Sequence, residues 1–200
     1  GGLGCNFGYP LFNFYPPLIY YVAEFFHLIG FNLLWSLKLM IITGSFLSSI
    51  GMYLLGKRFF DKKIGLLAAT LFTFFFYRAI TIYIRGAWAE FFAMSILPFV
   101  FLGLDDIYRN KNFKQFLLSS VSLGLLILAH PLIAFPAFFY IGLFFIYYFF
   151  NSKNRRLFFK NFLIGNILAI GLSAFFWLPS IVEKQYTLVD TILTHELASY

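Results

Sequence analysis

Arg85 and Glu90 stand five residues apart in YIRGAWAEFF, on either side of Gly86 and within otherwise apolar sequence. A guanidinium can clamp a phosphate through two parallel hydrogen bonds. A carboxylate beside it can accept a proton, so Glu90 is a candidate catalytic residue and the one candidate for holding a divalent metal ion. The spacing also fits a plainer arrangement. A carboxylate in the first turn of a helix faces the positive end of the helix dipole, and an arginine near a membrane surface snorkels towards it. Arg78 is read as such a snorkelling arginine. His130, followed by Pro131, sits in a very short connection between apolar runs. Its imidazole can bind a phosphate or relay a proton, or be satisfied by a neighbouring carbonyl. Glu183, four residues after Pro179, is the second candidate catalytic carboxylate. Tyr20, Glu24 and Tyr83 complete the candidate substrate-binding set. Tyr9, Asn13, Tyr15, His27, Lys184, Asp190, His195 and Glu196 are further polar residues in the same connecting stretches.

The residue types rule out several chemistries. There is no Gly-rich phosphate loop and no Gly-x-Ser-x-Gly turn, and the three histidines are too scattered for zinc-ligand spacing. A single cysteine, Cys5, leaves no internal disulfide to form.

The elements that must position these side chains follow from composition. The 200 residues are 61% hydrophobic and 12% charged, whereas a soluble domain is about half apolar and a quarter charged. The apolar residues come in long runs, and crossing a bilayer core of about 30 Å takes roughly 20 of them per helix. The runs Leu33–Leu55, Ile64–Ile84, Trp88–Leu104, Phe116–Ala129 (a short one), Leu132–Phe150 and Phe162–Leu178 predict six spans. A transmembrane barrel would alternate polar and apolar residues in short strands, and runs such as FLSSIGMYLL do not. The fold class is therefore all-α, a polytopic transmembrane helical bundle. Gly44, Ser48 and Gly51 put small residues at helical spacing on the first span, the pattern of a close helix-packing face in lipid.

Charge gives the bundle a direction. Eleven of the fifteen basic residues fall in connectors 57–63, 109–114 and 153–160, which alternate with the connectors around Arg85, His130 and Glu183. Basic loops lie on the cytoplasmic side, so the formal charge of +7 marks topology in a multi-pass cytoplasmic membrane protein, with membrane lipids and no nucleic acid as partners. Residues 17–29 are too short to span and are amphipathic, with Leu18, Val22, Phe25 and Ile29 on one face. They predict an interfacial helix on the outer surface. The organisation is one membrane domain over 1–200, with an outer segment 1–32, spans over 33–178 and an outer segment 179–200. The loop-like start at GGLGCNFGYP reads as the interior of a longer protein.

The segments FGYPLFNFYPPLIYY, GMYLL, FYRAITIYIRGAWAEFFAMSILP, AHPL and GLSAFFWLPSIVE follow one another as in bacterial polytopic proteins. Over Phe7 to Glu183 the chain resembles the 6-pyruvoyl-tetrahydropterin synthase-related membrane domain family. YPPL and RGxxAE in register are its most specific signals. That family in turn is similar to the GT-C glycosyltransferases. The resemblance implies transfer of a sugar from a polyprenyl-phosphate donor on the outer face, with Arg85 and His130 on the donor phosphate. It also implies a catalytic carboxylate early in the first outer loop, upstream of Gly1, so that this stretch alone is expected to be inactive. The alternative is a non-catalytic protein that binds or transports a lipid phosphate in the same groove.

Overall fold

The computed structural model describes residues 15–109 and 114–183. The chain divides into two units, Pro16–Ser173, and Gly1–Tyr15 together with Ala174–Tyr200. In the first unit the elements are α1 (Leu18–Leu28), α2 (Leu33–Phe59), α3 (Lys62–Thr73) and α4 (Phe76–Ala79), which runs into a π-helical turn, Ile80–Ile84. They are followed by α5 (Trp88–Tyr108), α6 (Lys114–Ala129), α7 (Pro131–Asn151) and α8 (Arg155–Leu172). In the second unit α9 (Ala174–Glu183) is described. No strand occurs among the described residues, and the molecule is a helical membrane bundle. Among the described residues four stretches, against the six expected, are long and apolar enough to cross a bilayer: Leu33–Phe59, Lys62–Ile84 taken across its break, Trp88–Tyr108 and Pro131–Asn151.

The central helix is α5. Of its most apolar stretch 67% is buried, against 17–22% in the other three. It packs on α2 and α6 and also meets α7 and α8, burying Phe91, Val100 and Ile107. In lipid, large apolar side chains gain nothing by turning inward, and association rests on close packing. On α2 the buried residues are accordingly Ser36, Met40, Gly44, Ser48, Gly51 and Gly56, while Phe46 and Ile50 face outward. A Cβ at Gly44 would lie 2.7 Å from Phe91, and one at Gly51 2.8 Å from Phe99. The expected packing face is the one α5 uses.

Local signals set three of the helix starts. Asn32, Asp61 and Asn154 cap α2, α3 and α8 by accepting from the backbone N–H of Trp35, Ile64 and Leu157, as short polar side chains do at helix N-termini.

Two expected elements differ. The run Ile64–Ile84 is not one helix: α3 ends at Thr73 and Phe75 is extended (φ −60°, ψ 127°) before α4 begins. No glycine or proline marks this break. The run Phe162–Leu178 also divides, because α8 ends at Leu172. There the Ser173 hydroxyl donates back to the carbonyls of Ala169 and Ile170, a competition with the helical ladder that weakens it. The helix expected over 17–29 forms as α1; it buries Leu18 and Ile19, while Phe25, on the side expected to meet the membrane, is 61% exposed.

Candidate functional site

At the N-terminal end of α5, Arg85, Glu90 and Tyr77 form one hydrogen-bonded cluster. The π-helical turn closes with the Arg85 N–H donating to Ile80 O at 2.9 Å. Gly86 then takes φ +60°, a left-handed conformation that glycine adopts without steric cost. It turns the chain into α5, with the Ala87 N–H on Thr81 O at 2.9 Å and the Trp88 indole on Ile82 O at 3.3 Å. The turn brings Arg85 and Glu90 together. Arg85 Nη1 lies 3.0 Å from Glu90 Oε2 and donates to Oε1 at 3.2 Å. The Tyr77 hydroxyl donates to Glu90 Oε1 at 2.6 Å and accepts from Arg85 Nη1 at 2.7 Å. Glu90 is 7% exposed. The Arg85 side chain is 47% exposed, and the bond to Glu90 holds its guanidinium above the usual range.

His130 reaches the same end of the bundle from the junction of α6 and α7. Its backbone is extended (φ −165°, ψ 100°). Its N–H continues the α6 ladder to Leu126, and its carbonyl accepts from Ile133 and Ala134 to start α7, whose first residue is Pro131. Nδ1 is buried and has no hydrogen-bond partner among the described residues. Burial pushes the imidazole below its ordinary value, with the charge of Glu90 opposing the shift and that of Arg85 adding to it. His130 is therefore electrostatically coupled to the Arg85–Glu90 pair.

Tyr83 is 82% exposed. Glu24 and Tyr20 are exposed on α1, which packs on α2 and touches α5 and α6. Glu24 carries no ion pair among the described residues. Glu183 closes α9 in the other unit. Tyr9, Asn13, Lys184, Asp190, His195 and Glu196 lie outside the described residues. Among the described residues no group of three metal-ligating side chains occurs. Glu90 has an arginine and a tyrosine for neighbours, so its surroundings do not fit a metal ion.

Sequence reasoning missed two features. Tyr77 was not among the candidates, and nothing in its spacing pairs it with Glu90. Arg78 does not snorkel. It is 2% exposed, inside the bundle, where Nη2 donates to Ser48 Oγ at 3.1 Å and to Ser95 Oγ at 3.0 Å. Its guanidinium lies 4.3 Å from the Phe91 ring centre and 5.1 Å from that of Phe72. Nε and Nη1 have no hydrogen-bond partner among the described residues.

A second polar network occupies the other end of α5. Asp105, 1% exposed, accepts from Arg58 Nη1 at 2.8 Å, Arg109 Nε at 2.6 Å and the Tyr148 hydroxyl at 3.1 Å. Arg58 Nη1 also donates to Asp106 at 2.6 Å. Fifteen residues of helix separate Glu90 from Asp105, about 22 Å at 1.5 Å per residue.

Comparison with known proteins agrees with the membrane architecture. The family of 6-pyruvoyl-tetrahydropterin synthase related domains, described as a membrane protein, matches residues 12–197. An uncharacterized protein of Lactococcus lactis subsp. cremoris (strain MG1363) is 29% identical over 183 residues, covering 87% of this chain. The chain spans 30% of that relative's length. No solved structure matches it.

Proposed function

The chain belongs to the 6-pyruvoyl-tetrahydropterin synthase related family of membrane proteins, and we propose that the whole protein is a glycosyltransferase-like enzyme using a polyprenyl-phosphate sugar. The observation that carries the reading is the convergence of Arg85, Glu90, Tyr77 and His130 at one end of the bundle. A polyprenyl chain belongs in the bilayer beside the apolar helices, and its phosphate belongs at their ends, where an arginine can meet it.

In this reading Glu90 and Tyr77 hold Arg85 in place, and the half-exposed guanidinium faces the donor phosphate. The acceptor hydroxyl attacks the anomeric carbon and the bond to the phosphate oxygen breaks. The proton passes to a base outside the described cluster, and polyprenyl phosphate departs. Arg85 stabilises the charge that grows on the leaving group, and His130 adds a hydrogen bond to it. The basic connectors 57–63, 109–114 and 153–160 are assigned to the cytoplasmic side, which puts this cluster on the outer face of the cytoplasmic membrane.

Transfer of labelled sugar from a polyprenyl-phosphate donor, measured with the full-length protein in liposomes, tests the roles. Arg85→Ala should lower kcat by about 100-fold or more, as loss of one charge-stabilising donor does. Undiminished transfer in both Arg85→Ala and Glu90→Gln removes the assignment. One observation favours a second reading. Glu90, the single carboxylate of the cluster, is already ion-paired and hydrogen-bonded, which suits binding a lipid phosphate better than taking a proton. Wild-type protein that binds polyprenyl phosphate, or moves it across liposomes, without consuming a sugar donor would establish that reading instead.

A further inference from the structure

Beside the Asp105 network, at the opposite end of the bundle from Glu90, a groove of about 400 Å³ opens between α2, α5 and α6. Leu54, Phe99, Leu102 and Leu118 line it, and Lys57 and Arg58 stand at its side. Leu54, Lys57 and Arg58 share one face of α2 at i, i+3 and i+4 spacing, and Phe99 and Leu102 share one face of α5. All of the apolar wall but Leu118 thus belongs to two helices that are long and apolar enough to cross a membrane. The cations sit in the last turn of α2, where that helix leaves the apolar region.

The charges at this end do not cancel. Asp105 and Asp106 are matched by Arg58 and Arg109. Both carboxylate bonds of Arg58 are made by Nη1, so the carboxylates orient the guanidinium while Nη2 and Nε carry neither bond. Lys57 is exposed and makes no ion pair among the described residues. Its ammonium lies 5.8 Å from the Tyr53 ring centre. The exposed Lys62 and Lys63 stand just across a tight helical hairpin, where a Cβ on Gly56 would meet the Gly65 Cα at 2.8 Å. Asp61, between the two helices, is used as the cap of α3. Clusters of four or more Lys and Arg at the end of a membrane helix attract anionic headgroups.

We propose that this groove binds an anionic phospholipid, with its phosphate on Lys57 and the outward edge of Arg58 and one acyl chain along Leu54, Phe99, Leu102 and Leu118. The pairing of an apolar wall at membrane depth with surplus positive charge at its end selects this ligand over a neutral lipid, which would leave the cations unused. It also selects it over a free anion, which would leave the wall unused. The site is independent of the polyprenyl-phosphate reading, since the two lie at opposite ends of α5.

Full-length protein purified in neutral detergent, with phosphatidylglycerol or phosphatidylcholine added, tests the proposal by native mass spectrometry and thermal melting. Phosphatidylglycerol should be retained as a defined adduct and should raise the melting temperature, with phosphatidylcholine doing neither. Lys57→Gln, a change at an exposed side chain, should melt as the wild type does without lipid and bind phosphatidylglycerol about fivefold more weakly, the effect of one basic residue at a membrane surface. Leu54→Trp, at a half-exposed side chain of the groove wall, should also lose the adduct. Equal retention of the two lipids overturns the proposal. So does unchanged phosphatidylglycerol binding by Lys57→Gln, or displacement of the lipid by inorganic phosphate at equal concentration.

Discussion

Arg85 and Glu90 reach each other because the one residue between them with a positive φ is Gly86, and Tyr77 bridges them from the preceding turn. The pair was legible as a pair in the sequence; its third member was not, since it lies 13 positions from Glu90 across a π-helical turn. His130 shows what burial adds to such a group. Its folded imidazole takes a proton only below its ordinary value of 6.5, first through burial. Near pH 6.5 the unfolded state therefore binds more protons, and stability rises with pH there. The contribution is complete above about pH 6.5 and is lost as pH falls through the folded value. Melting curves should lose stability on acidification through this window, and His130→Asn should flatten that dependence. Arg78 gives a prediction of opposite character. It is a buried cation whose acceptors, Ser48 and Ser95, already donate to the carbonyls of Ser45 and Phe91. Replacing a buried charge by an apolar side chain of similar length is often neutral or stabilising, so Arg78→Met should melt at or above the wild-type temperature in detergent. A large loss of stability would show that the guanidinium has a counter-charge elsewhere in the whole protein.

Among the elements, α2 shows how lipid inverts the usual pattern. Its inward stripe is small and its outward face is large and apolar, so spacing of small residues rather than hydrophobic periodicity located its packing face. Gly44→Ala should test the closeness of that face. The new Cβ would sit 2.7 Å from Phe91 and 3.1 Å from Phe92, rings held in the core, and overpacking of this kind costs about 1–3 kcal/mol. Gly171→Ala in α8 is the control, since nothing lies within 4 Å of its Cβ position. It should be neutral or gain up to about 1 kcal/mol from helix propensity. Thermal unfolding of the two variants side by side reads the difference. The break before α4 was invisible in the sequence because no breaker residue marks it. It lies three residues before Arg78, the side chain that the following turn carries into the bundle.

For the molecule as a whole, three basic connectors alternate with three that are poor in Lys and Arg, and this alternation predicts sidedness directly. In a background with every cysteine of the full-length protein replaced, a single cysteine introduced by Lys153→Cys should react with a membrane-impermeant thiol reagent only in inverted vesicles. One at Tyr83 should react in intact cells. Labelling of both from the same side would overturn the assignment. The phenylalanine excess, 31 residues, also resolves at this scale. Much of it faces outward, as at Phe46, Phe74 and Phe139. Another part packs around Ile107, Tyr148 and Phe158, where Tyr108 and Tyr148 stack at 4.3 Å above the Asp105 network.

Taken alone, the sequence determined the all-α membrane class, the approximate placement of the apolar runs and the identity of Arg85, Glu90 and His130 as unusual polar residues. These follow from composition, run length and residue type, which need no partner to be read. The tertiary structure decided which of the runs are continuous helices and which face of α1 is buried. It decided that Arg78 lies inside the bundle and that Tyr77 joins Arg85 and Glu90. It also united Arg58, Asp105, Arg109 and Tyr148 beside a groove. Each of those depends on contacts between residues far apart in the chain, and in a bilayer, where apolar burial no longer ranks one packing above another, close fit and hydrogen bonding make the choice.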